Sequence, residues 1–276
     1  MESAADPVTH YDKITRAWQY LLGEDFHYGY FKSENEPLDV ATSNLTLLMA
    51  EKGQIGPDVS VLDVGCGIGS PACFLAKRYG CRVTGITTSP NGVEHARARA
   101  ERERCADRVS FLLRDGMDNG MPDASFDRVW VLEASHLMPR KEALFAEGAR
   151  VLRAGGTMVL CDIMPRREVP REEILRRSRD FLHLHYAFGH AKLETLGTYR
   201  HYAEGAGLVV REAIDISDPI FPTLDHWRRK LEENVDEVRA LIGDEGVAHF
   251  RASCEALPTL WKELIFGYGL VAATKR

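Results

Sequence analysis

Two hydrophobic rhythms divide the chain. Between residues 59 and 162, short apolar, β-branched runs alternate with longer stretches whose apolar side chains recur at helical spacing. The short runs predict strands at 59–64, 82–86, 108–113, 126–132 and 157–162. The longer ones predict helices at 69–79, 91–104 and 140–152, with Gly80 closing the first and Gly155-Gly156 turning into the last strand. Strands alternating with helices of this length imply a parallel sheet covered on both faces. Outside this block the rhythm is helical. Residues 10–22 carry Tyr11, Ile14, Trp18, Leu21 and Leu22 at helical spacing, and 38–51 turn Leu38, Ala41, Leu45, Leu48 and Met49 inward. The stretches 163–204 and 222–262 are amphipathic helices, separated by a short apolar run, Leu208–Ile216, and followed by a strand, Leu264–Thr274. The patch Phe26-His27-Tyr28-Gly29-Tyr30-Phe31 reads as an aromatic lid, packed on the core, lining an active site, or both.

The richest local pattern is Val59 to Gly69, where an apolar strand meets Gly65, Gly67 and Gly69 and then a helix. Strand, glycine turn and helix cradle a nucleotide-like ligand. Glycine lets the backbone approach, and the helix N-terminus offers free N–H groups. A dinucleotide fingerprint would put its third glycine where Ser70 stands, and Asp63 precedes the turn. A dinucleotide site and a purely structural turn both remain open on the turn alone.

Composition narrows the classes. The 276 residues suffice for one α/β domain with an inserted or appended cap, and the net charge of −6 argues against nucleic acid as the main substrate. The clusters Arg166-Arg167 and Arg176-Arg177 read as solvated helix surface. The six cysteines (Cys66, Cys73, Cys81, Cys105, Cys161, Cys254) form no C-x-x-C pair and read as small core residues of a reduced compartment. With no signal-peptide pattern and no apolar run of about 18 residues, the expectation is a cytoplasmic protein without membrane insertion.

Five stretches, taken in order, carry a family likeness: His27–Phe31, Asp63–Gly69, Gly85-Ile86-Thr87-Thr88-Ser89-Pro90-Asn91, Arg114-Asp115-Gly116-Met117 and Ser125-Phe126-Asp127-Arg128-Val129-Trp130. From about Tyr11 to Asp162 the chain resembles the class I S-adenosyl-L-methionine (SAM) methyltransferases of small molecules. That group includes the sterol, tocopherol and cyclopropane-fatty-acid enzymes and the O-methyltransferases that tailor microbial sugars and polyketides. The resemblance implies a doubly wound, mostly parallel seven-stranded α/β sheet with an N-terminal helical lid and a helical cap inserted late. It divides the chain into a lid at 1–37, a SAM-binding core at 38–162, a cap at 163–206 and 222–262, and the last strands within 207–221 and 263–276. It also implies SAM as cofactor, S-adenosyl-L-homocysteine as its product, a small-molecule acceptor and an oligomeric state left open.

The same resemblance assigns residues. Tyr11, Asp63, Gly65, Gly67, Gly69, Asp115, Gly116, Met117 and Glu133 are expected at the cofactor. Asp115 would accept from the adenine amino group, and Met117 would flank the ring. Thr87 stands where most SAM enzymes place an acid on the ribose, with Thr88 and Asn91 as substitutes, and Gly92 stands where some branches carry Gln. A hydroxyl makes a weaker bond there than a charged group. Asp127 is expected to cap the turn into its strand.

His136 follows the end of the fourth strand, where ligands of open α/β sheets lie, and imidazole can take a hydroxyl proton near neutral pH. In the sugar-tailoring O-methyltransferases a His in the matching Glu-x-x-His segment acts with an acid at the end of the fifth strand, the place of Asp162. Chain order brings these strand ends together. Trp18, Tyr20, His27, Tyr28 and Tyr30 of the lid and Tyr186, Tyr199 and Tyr202 of the cap are expected as aromatic acceptor walls. The cap histidines, His183, His185, His190 and His201, show no metal-ligand spacing, so no metal is expected. The leading expectation is O-methylation of a largely hydrophobic natural-product scaffold. Its rivals are C-methylation of an isoprenoid or other alkene, a dinucleotide-dependent oxidoreductase, and a non-catalytic SAM-binding protein.

Overall fold

The computed structural model describes residues 17–276 except 22, 24–26 and 34. Tyr11, Ile14, Leu22 and Phe26, which carry part of the expected lid, lie outside the described residues. The chain forms two units. A sheet unit comprises Leu45–Arg166, Lys192–Ser217 and Gly267–Arg276, and a helical unit comprises Met1–Asn44, Arg167–Ala191 and Asp218–Phe266.

The sheet unit holds seven strands, β1 (Ser60–Val64), β2 (Arg82–Thr87), β3 (Val109–Leu113), β4 (Phe126–Leu132), β5 (Leu152–Ile163), β6 (Leu208–Asp215) and β7 (Tyr268–Lys275), in the order β3-β2-β1-β4-β5-β7-β6. β1 to β5 pair in parallel, while β7 runs antiparallel to both β5 and β6. The strand order reverses between β1 and β4, which places the ligand crevice of such a sheet at their carboxyl ends. Helix α1 (Leu38–Lys52) precedes β1, and α2 (Ser70–Tyr79), α3 (Pro90–Arg102) and α4 (Lys141–Val151) follow β1, β2 and β4.

Local chemistry sets these ends. Helix α2 is capped at both ends by left-handed glycines, Gly69 and Gly80, and Gly80 donates its N–H to Ala76 O at 3.0 Å. Helix α3 opens with Ser89, whose Oγ accepts from the Gly92 N–H at 3.0 Å, and with Pro90, which needs no donor there. Leu62, Val131, Leu160, Val271 and Phe145 lie in the core beneath the strand ends. All six cysteines are free and buried.

Three sequence boundaries shift, the simplest being β7, which begins at Tyr268 and not at Leu264. Strand β5 begins at Leu152, not at residue 157, and Gly155-Gly156 lie inside it. The register slips between Phe126↔Leu152 and Arg128↔Thr157, and Gly155 takes φ 77°, so the glycines form an irregularity within the strand and not a turn before it. Helix α7 (Leu196–Gly205), expected in the cap, belongs to the sheet unit. Only Ala206 and Gly207 separate it from β6, so it folds back onto the sheet, with Tyr199 and Ala203 buried.

The helical unit contains α5 (Arg171–Arg176), α6 (Ser178–Phe188), α9 (Pro222–Glu233) and α10 (Val235–Lys262), with the short α8 (Ser217–Ile220) leading into it. Its core is aromatic. The Trp18 ring centre lies 4.7 Å from Phe188, 5.1 Å from Trp227 and 5.0 Å from Phe250, and its indole N–H donates to Ala187 O at 2.7 Å. Tyr28 packs 4.4 Å from Trp227, and the Gly29 N–H donates to Thr223 Oγ1 at 3.1 Å. Each such ring contributes a few kcal/mol, since truncating a buried Phe or Trp to Ala costs about 3–5 kcal/mol.

Candidate active site

The carboxyl end of β1 is a cradle. Gly65 and Gly69 adopt φ 79° and 81°, and a Cβ on Gly65 would overlap that of Ala134. At Gly67, φ is 52° and a Cβ would meet no protein atom within 4 Å. The Gly65 and Cys66 N–H groups both donate to Ile86 O, at 2.8 and 3.0 Å, which ties the turn to β2. Asp63 enters the turn with 2% exposure, and its Oδ2 has no hydrogen-bond partner. Burial raises its pKa to about 7.

The neighbouring strand ends complete this wall. Thr87 Oγ1 accepts from the Ser89 N–H at 3.2 Å, so that hydroxyl is already partly used in shaping the β2–α3 turn. A Cβ on Gly92 would stand 3.0 Å from Gly67 O, so a longer side chain there would press on the glycine turn. Thr88 and Asn91 are exposed beside it. After β3, Asp115 Oδ1 accepts the Met117 N–H at 2.8 Å, and a Cβ on Gly116 would overlap Val64 Cγ1. Asp127 is structural, but it ties β4 to the start of β1 and to β5 and does not cap the turn into its own strand. Its Oδ2 accepts from the Ser60 N–H at 2.8 Å and its Oδ1 from Arg153 at 2.8 Å.

The carboxyl ends of β4 and β5 bring His136 and Asp162 together. The ladder continues past β4 as the Glu133 N–H donates to Cys161 O at 2.9 Å, and a single 3₁₀ turn, Ser135–Leu137, follows. His136 Nδ1 then lies 2.8 Å from Asp162 Oδ1. Facing a carboxylate, Nδ1 carries the proton, which leaves the Nε2 lone pair as the basic atom. Asp162 is fully buried, and both of its oxygens are engaged. Oδ1 also accepts the Ile163 N–H at 2.8 Å, while Oδ2 accepts the His136 N–H at 2.9 Å and the Ser135 hydroxyl. Asp162 therefore faces His136 and has no oxygen left for an acceptor.

The electrostatics agree with an ion pair. Burial alone would lower the His136 pKa, but the charge and hydrogen bond of Asp162, with Glu133 adding, hold it above the usual histidine value. Burial alone would raise Asp162; the His136 charge and the donors from His136, Ser135 and Ile163 hold it below the usual carboxylate range. The turn is fixed from behind. Lys141, fully buried, donates to Met138 O at 3.0 Å and Lys192 O at 2.6 Å, and the Lys192 N–H donates to His136 O at 2.8 Å. Glu133, with φ 49°, accepts the Tyr268 hydroxyl at 2.6 Å.

The sequence of residues 2–257 matches the family described as mycolic acid cyclopropane synthetase. The chain belongs to this family. Within its range of similarity the chain is 33% identical to the methyltransferase GfsG of Streptomyces halstedii over 96% of this chain and 92% of that one. It is also 33% identical to the 27-O-demethylrifamycin SV methyltransferase of Amycolatopsis mediterranei, over 96% of this chain and 95% of that one. The fold matches the mycolic acid cyclopropane synthase CmaA1, solved with S-adenosylhomocysteine and CTAB, at a TM-score of 0.85, 22% identity and 96% of each chain. Members of the cyclopropane synthetase family use SAM, and this one is a SAM-dependent methyltransferase of small molecules. The β1 end fits that cofactor on two counts. An unpartnered buried carboxylate oxygen suits a cationic group, and the open side of Gly67 admits a ligand against the backbone.

The acceptor residues expected from sequence part company. Trp18, Tyr20, His27, Tyr28, Tyr30 and Tyr186 belong to the helical unit, whereas Tyr199 and Tyr202 belong to the sheet unit. Trp18, His27 and Tyr28 are buried, Tyr30 is half-buried, and Tyr20 is exposed. Tyr186 stacks on His249 at 4.2 Å. Tyr199 is a correction. It is wholly buried, its ring 6.1 Å from Phe145, and its hydroxyl lies 2.7 Å from Ser135 Oγ, so it underlies the His136–Asp162 pair and lines no acceptor surface. Tyr202 packs half-buried against the same core. Ser135 escaped the sequence reading, because a single serine before a histidine carries no periodic or spacing signal. Among the described residues no group of three His, Cys, Asp or Glu could hold a metal ion, and no helix is long and apolar enough to cross a membrane.

Proposed function

We propose that the chain O-methylates a hydroxyl on a small, largely hydrophobic acceptor, with His136 as general base. The observation that carries this reading is the 2.8 Å contact between His136 Nδ1 and the buried Asp162, which leaves Nε2 free to take a proton. A relative named for 27-O-demethylrifamycin SV is consistent with a hydroxyl acceptor. SAM, when bound, supplies an electrophilic methyl group. Asp63, the turn Gly65–Gly69, Thr87, Asp115 and Met117 would hold it, with Thr88, Asn91, Gly116 and Glu133 alongside. The protein's part is then alignment, which can contribute roughly 7–11 kcal/mol, and removal of the hydroxyl proton by His136. Asp162 keeps the imidazole in the tautomer that presents Nε2 and stabilises the imidazolium once the proton has moved.

The second reading is methylation at carbon. It is favoured by the family's name and by the Glu133–Tyr268 pair, whose carboxylate could face a developing cation. The test is a turnover assay with labelled SAM and candidate hydroxyl and alkene acceptors, with products read by mass. His136→Ala should lower O-methylation by about 10²–10⁴-fold with SAM affinity hardly changed. Near-normal turnover in His136→Ala, or a product methylated at carbon, would move the assignment to the second reading. SAM binding without transfer to any acceptor would make the chain a binding protein.

A further inference from the structure

Behind the His136–Asp162 pair runs a chain of hydroxyls. Ser135 Oγ lies within hydrogen-bond reach of Asp162 Oδ2, and Tyr199 Oη lies 2.7 Å from Ser135 Oγ. The carboxylate has no proton to give, so the Ser135 hydroxyl donates to it. The remaining lone pairs of Ser135 can then only accept, so the Tyr199 hydroxyl donates to Ser135. All of these donors point toward one carboxylate, and Ser135, Tyr199 and Asp162 are each fully buried. Water cannot substitute for a missing member without opening the core.

We propose that Ser135 and Tyr199 are positioning residues that fix the Asp162 carboxylate and restrain how strongly it draws the His136 proton. A carboxylate shared among several donors offers less of its charge to any one of them. The Ser135 hydroxyl and the His136 N–H sit on Oδ2, and the Ile163 N–H sits on Oδ1 beside the imidazole. Removing the Ser135 hydroxyl returns charge to His136, which then holds its proton more tightly. Removing the Tyr199 hydroxyl does the same more weakly, through Ser135. Other groups face this chain: Glu133 and Lys141 toward His136, Glu194 and Tyr202 toward Tyr199, and Tyr268 toward Asp162. None of these is altered by the two substitutions. The proposal rests on His136 as base only for its catalytic consequence; the hydrogen-bond chain itself stands apart from it.

The experiment is an NMR titration of the histidine rings in the full chain, with the His136 signals identified by their loss in His136→Ala. Ser135→Ala should raise the His136 pKa by about half a unit to one unit, and Tyr199→Phe by less. Ser135→Thr, which keeps the hydroxyl, should restore the native value. The acid limb of the turnover–pH profile should move with the ring pKa, and SAM affinity should stay unchanged. Should Ser135→Ala leave Tyr199 unpaired and the fold weakened, the double variant Ser135→Ala/Tyr199→Phe removes both buried hydroxyls and should show the same shift. An unchanged or lowered His136 pKa in folded variants would overturn the proposal. A raised ring pKa with an unmoved activity limb would support the chain and count instead against His136 as the base.

Discussion

Two buried carboxylates end neighbouring parts of the sheet in opposite states. Asp63, at the end of β1, has an oxygen with no partner, and burial raises its pKa to about 7. Asp162, at the end of β5, is buried more completely, yet its pKa is held below the usual range by the His136 charge and by the protein donors that fill both oxygens. The strand ends are alike; Asp162 has a facing imidazole and a full set of donors, and Asp63 has neither on its Oδ2. A charge already satisfied by its own protein serves internal alignment. One left unsatisfied costs stability until something cationic arrives, and so marks where a ligand completes the structure. Under the proposed function, this would separate a cofactor-facing acid, Asp63, from a base-facing one, Asp162, without reference to either ligand.

The comparison can be broken from either side. The largest effect is expected at Asp162. Asp162→Asn leaves the shape but not the charge, so the imidazole loses its preferred tautomer, and turnover should fall by about 10³–10⁴-fold with SAM affinity within a few-fold of native. A loss confined to SAM binding would reverse the roles assigned to the two acids. Asp63→Asn should do the converse, weakening SAM binding by about 10²-fold or more in calorimetry, as expected when one partner of a buried ion pair is removed.

The same substitution carries a pH signature. The folded pKa of Asp63 is raised, so this group's contribution favours folding at low pH and is lost as pH rises from about 4 toward about 7. The ligand-free Asp63→Asn protein should therefore melt higher than the native one at pH 8, with the difference shrinking as pH falls and becoming small only below about pH 4. SAM binding to the native chain should release protons near neutrality, seen as a dependence of the calorimetric heat on buffer. For His136 the stability sign is the same, because its folded pKa is also raised. Its pair with Asp162 stabilises the fold below about pH 6.5 and fades as pH climbs through the raised value, whereas the proposed general-base role needs the unprotonated ring. Turnover should accordingly fall below a pKa higher than that of a free histidine. The smallest effect is expected at Thr87. Thr87→Val removes a neutral hydroxyl already engaged by Ser89, and SAM affinity should drop only by about three- to tenfold, the worth of roughly one ordinary hydrogen bond.

Legibility in the sequence followed the range of the interactions. The β1–Gly65–α2 unit could be read because strand, turn and helix are contiguous and each has its own composition. His136 and Asp162 could be paired because consecutive βα units lay their strand ends side by side. Ser135 could not, since its partner Tyr199 lies 64 residues away on a helix whose aromatic face looks the same whether it covers an acceptor or a sheet. The placement of α7 turned on a two-residue link to β6, which periodicity does not weigh. Gly155-Gly156 read as a turn because glycine pairs usually are turns; the neighbouring ladder absorbed them as a bulge.

The position of β7 has a consequence for synthesis. It inserts between β5 and β6, yet it is made after both of them and after α9 and α10. Until it emerges, β5 and β6 each present an unpaired edge, and no hairpin between them can substitute for the missing strand. A nascent chain paused in α10 would thus carry an open template for strand addition, the kind of edge through which chains aggregate. Holdase chaperones should engage chains arrested before Tyr268 and release them once β7 closes the sheet.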